Sequence, residues 1–265
     1  MDLGLAGAAV LVQGGSQGMG LAAARAFAAE GARVALLARS AGPLEAAAAE
    51  LRAGGAAEVV TLPADVADAE QVAAAFATVT ERWGELNALV NAVGPTAGMG
   101  PFEALSDDDW RAAFETGALG MVRCVRAALP LLRAAAWARI VNLSASSTKH
   151  QTTALVAYTA TKAMVTSVSK NLSQSLAADE ILVNTVSPGG FASAGLAAWA
   201  KSAGIDPTDL YALADGLKQH FGHAASLPRV GATDEIGAVI AFLASRRNTY
   251  LTGANVNVDG GTDFC

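Results

Sequence analysis

Cysteine is almost missing: Cys124 and Cys265 are the only two in 265 residues. A disulfide framework or a cysteine-type metal site needs more, and the scarcity fits a reducing compartment. Charge is also sparse, at 16% of residues, with 18 Lys and Arg against 24 Asp and Glu. The net charge of −6 and the absence of any basic run longer than Arg246-Arg247 exclude a nucleic-acid footprint and an anionic-membrane patch. No apolar stretch is long and uninterrupted enough to span a bilayer. The first apolar run, LGLAGAAVLV, has no basic lead-in and ends in a glycine-rich turn, so it reads as a buried strand and not as a signal peptide. The expected location is cytoplasmic.

What is present is hydrophobic, at 52%, and it is arranged with a rhythm. Short apolar runs (AAVLVQ, RVALLA, EVVTLP, NALVNAV, ARIVNLS, ILVNTVS, ANVNVD) alternate with longer alanine-rich helical segments. Strands of this kind between helices predict an α/β fold: a single-domain Rossmann-type, doubly wound parallel sheet of about seven strands with helices on both faces. No linker or repeat divides residues 1–265. In such a sheet a ligand sits beyond the carboxyl ends of the strands, so residues that end strands are the informative ones.

After the first run comes QGGSQGMG, in which Gly14, Gly18 and Gly20 permit a sharp turn and close approach to a pyrophosphate at a helix start. Ser16, Gln17 and Met19 lie on the same turn. The second run ends in Ala38 and Arg39, with none of the acids that read a free ribose hydroxyl; a guanidinium suits a 2′-phosphate and favours NADP(H) over NAD(H). Asp65, followed by Val66, suits either an adenine amino group or the N-cap of the next helix. In YTATK, Tyr158 and Lys162 stand one helical turn apart on one face. SDDDW reads as a helix start capped by Ser106. His220 and His223 lack a third ligand nearby, so no metal site is expected, and His150 belongs to a loop near the site.

Taken together, GGSQGMG, ADV at 64–66, LVNAVG at 89–94, YTATK, NTVSPGG at 184–190 and YLTGANVNVDGG at 250–261 resemble the short-chain dehydrogenase/reductase family over nearly the whole chain. The resemblance implies an NADP(H)-dependent oxidoreductase that moves a hydride between nicotinamide and a ketone or secondary alcohol. Tyr158 would be the proton donor or acceptor. Free tyrosine has a pKa near ~10, so a nearby ammonium, Lys162, is expected to stabilise its phenolate. Asn91, Ala92 and Gly94 would follow the adenosine ribose. Pro188, Gly189 and Phe191 would line the nicotinamide side, with Ser193 near its carboxamide or the phosphates. Residues 190–227 would form a substrate lid, in which Phe191, Leu196, Trp199, Tyr211 and Phe221 either line a pocket or pack the lid onto the body.

Two positions depart from the family pattern. The serine usual thirteen residues before the tyrosine falls on Ala145, between Ser144 and Ser146; Ser146 becomes the candidate if the chain has left the strand there. The usual asparagine falls on Gly117, which keeps the main-chain carbonyl of a water relay to the lysine. Gln13 replaces a usual threonine, and NAVG a usual NNAG. Reduction of an activated double bond, or a low-turnover NADP-binding sensor or structural protein, are the alternatives. A homo-oligomer, tetramer or dimer, is implied through helices around 106–135 and 153–178, where Ala127, Ala128 and Ala163 would allow close packing.

Overall fold

Strands β1 (Ala9–Gln13), β2 (Arg33–Ala38), β3 (Glu58–Pro63), β4 (Ala88–Asn91), β5 (Ala138–Leu143), β6 (Ile181–Pro188) and β7 (Asn255–Val258) form one sheet in this computed structural model, which describes residues 2–264. The sheet is parallel throughout, in the order β3-β2-β1-β4-β5-β6-β7. Cys265 lies outside the described residues. The helices are α1 (Gly18–Ala29), α2 (Ala41–Ala53), α3 (Ala69–Trp83), α4 (Asp107–Phe114), α5 (Gly120–Ala134), α6 (Val156–Ser175), α7 (Ala194–Ser202), α8 (Leu210–Phe221) and α9 (Thr233–Leu243). No helix among the described residues is long and apolar enough to cross a membrane.

Alternation along β1 shows why its first four residues are all apolar. Val10 and Val12 join one core with Phe27 of α1, Leu44 of α2 and Ile240 of α9. Ala9 and Leu11 join the opposite core with Phe76 of α3, Val125 of α5 and Val165 of α6. Both faces of the strand are therefore buried, as a period of two between two helical layers requires. Strand order reverses between β1 and β4, which opens a crevice at their carboxyl ends.

Local signals mostly hold. Ser106 caps α4 through a reciprocal box with Asp109: its Oγ accepts from Asp109 N at 3.2 Å, and the Asp109 carboxylate accepts from Ser106 N at 2.9 Å. The long helix expected around 106–135 is interrupted by a π turn at Glu115–Leu119 centred on Gly117. Ala128 is fully buried against the sheet and cannot serve as a contact between copies; Ala163 is exposed and Ala127 only partly covered. Helices α7 and α8 pack on a small core of their own, in which Leu196 and Trp199 meet Ala200, Ile205 and Leu213. Tyr211 and Phe221 remain largely exposed.

Candidate active site

At the end of β1 the chain turns through Gly14 at φ +80° and Gly18 at φ +58°, conformations that favour glycine. A Cβ on Gly20 would lie 2.2 Å from the Gly14 carbonyl oxygen, so the start of α1 sits directly on the turn. No side chain caps α1, and its first turn holds no acid, so its N–H groups and positive end are not neutralised from within. A cleft of about 360 Å³ opens there. Gly14, Ser16, Gln17, Gly18, Met19 and Gly20 border it on one side; Arg39, Asp65, Val66, Ala92, Gly94 and Ser193 complete it. Arg39 is exposed, and its guanidinium makes no hydrogen bond or ion pair with any described residue. A close-approach turn, an uncapped helix start and an uncommitted guanidinium fit a dinucleotide carrying an extra phosphate.

Asp65 is not the cap of α3. Its Oδ1 accepts from Ala67 N at 2.9 Å, whereas Asp68 takes Glu70 N and Gln71 N at 2.9 and 3.1 Å. Ser193 is committed locally as the cap of α7, accepting from Leu196 N at 3.2 Å. Thr96 and Thr116 also border the cleft, without any motif that would single them out in the sequence.

Tyr158 and Lys162 project from the first turns of α6 toward Gly94, which borders the cleft. A Cβ on Gly94 would lie 3.6 Å from Lys162 Nζ and 3.9 Å from Tyr158 Cε2. Lys162 is buried, and its ammonium donates to the Leu143 carbonyl at 2.7 Å and the Val93 carbonyl at 3.4 Å. Burial pushes the Lys162 ammonium down to about 8 and the Tyr158 phenol up to about 12. The phenol thus moves opposite to the direction expected from a neighbouring ammonium, with desolvation as the cause.

The serines around Ala145 have separate fates. Ser144 Oγ donates to the Lys162 main-chain carbonyl at 3.0 Å and bonds Thr166 Oγ1 at 2.7 Å, so it ties β5 to α6. Ser147 Oγ accepts from Thr159 Oγ1 at 3.0 Å. Ala145 is still extended, but Ser146 begins a 3-10 turn, Ser146–Thr148. The chain has left the strand there. The Ser146 hydroxyl makes no hydrogen bond with any described residue, and neither does Tyr158 Oη; the two are not bonded to each other.

Asn91 is buried beneath the site and donates to Asn142 Oδ1 at 2.7 Å. Pro188 closes β6, and Gly189 lets that end approach β7, since a Cβ there would lie 2.7 Å from Asp259 Cα. Phe191 does not border the glycine-walled cleft: its ring packs on Gly231 and borders a second cavity of about 340 Å³ with His223 and Asp259. His223 lies within the electrostatic reach of His150, and burial is the main force lowering its pKa. His220 is held separately, its Nδ1 bonded to the Gly216 carbonyl at 3.0 Å. The carbonyls of Leu143 and Val93 were invisible to sequence reasoning, because a main-chain acceptor has no residue type.

The chain is similar to known proteins over nearly its whole length. A family model described as enoyl-(acyl carrier protein) reductase matches residues 14–263. The 3-oxoacyl-(acyl-carrier-protein) reductase FabG of Staphylococcus aureus is 33% identical over 252 residues, covering 95% of this chain and 96% of its own. The short-chain reductase protein NovJ of Streptomyces niveus is 29% identical over 252 residues, covering 95% and 92%. Among solved structures, L-sorbose reductase from Gluconobacter frateurii, complexed with NADPH and L-sorbose, is similar with a TM-score of 0.90 at 30% identity, covering 100% of both chains. The Pseudomonas aeruginosa RhlG/NADP complex is similar at 0.86 and 28% identity, covering 99% of both.

Proposed function

The chain belongs to the short-chain dehydrogenase/reductase family, and from that premise we propose that it reduces a ketone to a secondary alcohol with NADPH. That it is an oxidoreductase of this type follows from the family. The observation that carries the finer reading is the meeting of Tyr158 and Lys162 at Gly94, which itself borders the glycine-walled cleft.

Bound NADPH supplies the hydride and, once oxidised, a positive charge that favours phenolate. Tyr158 Oη gives its proton to the carbonyl oxygen as negative charge develops there. The phenol holds its proton at neutral pH, as donation requires, and the Lys162 ammonium and the oxidised nicotinamide offset the burial that pushes it up to about 12. Lys162 then stabilises the phenolate left behind and presents a donor to the cofactor side. Ser146, its hydroxyl uncommitted, steadies the substrate oxygen in place of the residue replaced by Ala145. Arg39 receives the 2′-phosphate. The segment 190–227, with α7 and α8, covers the substrate. Ala145 favours one second reading, reduction of an activated double bond, which needs the tyrosine without the serine.

NADPH oxidation against a panel of ketones, diketones and enones tests the proposal. Decay with ketones supports it, decay with enones alone supports the second reading, and none with either in a protein that binds NADPH contradicts both. Two further results are expected. Arg39→Ala should weaken NADPH binding about ten- to hundredfold, the value of a charge-assisted hydrogen bond, while NADH binding holds; equal losses for both would reject the assignment. In a pH series, kcat/KM for reduction should fall as pH rises through about 8, where Lys162 loses its proton. A profile flat across that range would show that the ammonium is not needed. We also assign a homo-oligomer of two or four copies, which light scattering would decide.

A further inference from the structure

The surroundings of Gly117 are closed to any side chain. A Cβ there would lie 2.6 Å from Thr161 Cγ2, 2.7 Å from Pro95 Cδ and 3.1 Å from Pro95 Cγ. The first two distances are shorter than real Cβ contacts, so the Pro95 ring fills the space into which a residue-117 side chain would grow. Thr161, the other wall, directly precedes Lys162 on α6, and its hydroxyl is spent on the Ala157 carbonyl at 2.8 Å.

Pro95 ends a short stretch with a bearing on the lysine. Its ring fixes its own φ and restricts Gly94 before it. Gly94 faces both Lys162 and Tyr158. One residue earlier, Val93 N donates to Gln13 Oε1 at 3.2 Å, while the Val93 carbonyl accepts from Lys162 Nζ at 3.4 Å. The stretch 93–95 is therefore pinned at one end by Gln13 and at the other by the fit of Pro95 against Gly117, with the lysine's acceptor between. Gln13, Pro95 and Gly117 act on one loop.

We propose that Pro95, seated in the space that Gly117 leaves open, is a positioning residue for Lys162. It fixes the Val93 carbonyl, which with the Leu143 carbonyl takes two of the three ammonium protons and leaves one for the cofactor. A long flexible side chain is thereby held by main chain on two sides. The asparagine that the family pattern would place at 117 does not fit this chain. The inference rests on the assignment of Lys162 to the proton-transfer pair.

Pro95→Ala, Gly117→Asn and the triple variant Pro95→Ala/Thr161→Ser/Gly117→Asn test it, through thermal melting, kcat and KM, and NADPH binding followed by fluorescence from neutral to alkaline pH. Pro95→Ala should lower kcat about ten- to hundredfold with KM nearly unchanged, as small misplacements of reacting groups do. It should also move the alkaline midpoint of NADPH binding to lower pH, because a hydrogen bond to the charged form has been loosened. Gly117→Asn should melt earlier and lose at least as much activity, and the triple variant, with the slot opened but Pro95 gone, should regain stability without exceeding the activity of Pro95→Ala. A Gly117→Asn protein as stable and active as the parent overturns the closed slot. Unchanged kcat and an unchanged midpoint in Pro95→Ala overturn the positioning role. Should Pro95→Ala not fold, Gln13→Thr withdraws the acceptor from Val93 N, and an unmoved midpoint there counts against the proposal equally. If the parent reduces no carbonyl, the reductase reading fails by itself, and the binding midpoint still decides this one.

Discussion

Tyr158→Phe should lower kcat about a thousandfold, within the range that a positioned general acid contributes, and leave NADPH binding and folding close to the parent's. The change removes one oxygen. The ring, whose Cε2 lies against Gly94, stays in place. Because Tyr158 Oη makes no hydrogen bond with any described residue, its loss strands no buried donor or acceptor, and the usual cost of an unsatisfied partner does not arise. The effect should therefore fall on chemistry alone: kcat collapses, NADPH affinity holds, and the melting temperature moves by no more than a few degrees. Steady-state NADPH oxidation alongside fluorescence binding checks it. Retained turnover in the variant would move proton transfer to another group.

Ser146→Ala should cost about a hundredfold in kcat, the lower end of what losing one donor to a developing oxyanion costs. The structure separates this serine from its neighbours. Ser144 and Ser147 spend their hydroxyls on α6, through Lys162 O, Thr166 and Thr159. Alanine at either should act chiefly on stability, by removing a tie to α6. Ser146 has no such commitment, so its loss should act chiefly on kcat. Ala145→Ser in the Ser146→Ala background should restore part of the activity, since residue 145 is extended and keeps the direction of β5. Full activity in Ser146→Ala would mean that the substrate oxygen needs no hydroxyl here, or finds one elsewhere.

The contrast among these serines marks the limit of what the sequence could tell. Spacing brought Ala145 and its two neighbours into view, but the choice between Ser144 and Ser146 depended on where β5 ends and which hydroxyls α6 captures. The strands were legible because both faces of the sheet are buried, so apolar residues run without a break, as in β1 and β4. Helix starts were legible where the cap is a side chain, as at Ser106. Asp65 and Asp68 show the remaining ambiguity: either can cap on composition, and three-dimensional placement gave the role to Asp68. Ala128 looked like a contact between copies because small residues suit both an interface and a core, and the helix face decides which. The Tyr158 phenol was expected to be lowered by Lys162, yet burial raises it. Sequence shows which charges are near one another along a helix and nothing of how much water the rest of the fold excludes.

The most direct test of the account is the fate of a label. NADPH deuterated at nicotinamide C4 would be incubated with the protein and the best ketone from the panel, and the alcohol analysed by mass and NMR. Deuterium is expected at the carbinol carbon from one C4 face only, with no label transfer above background when Tyr158→Phe replaces the parent. Binding of NADPH without transfer to any carbonyl carbon, or transfer that persists undiminished in Tyr158→Phe, would contradict it.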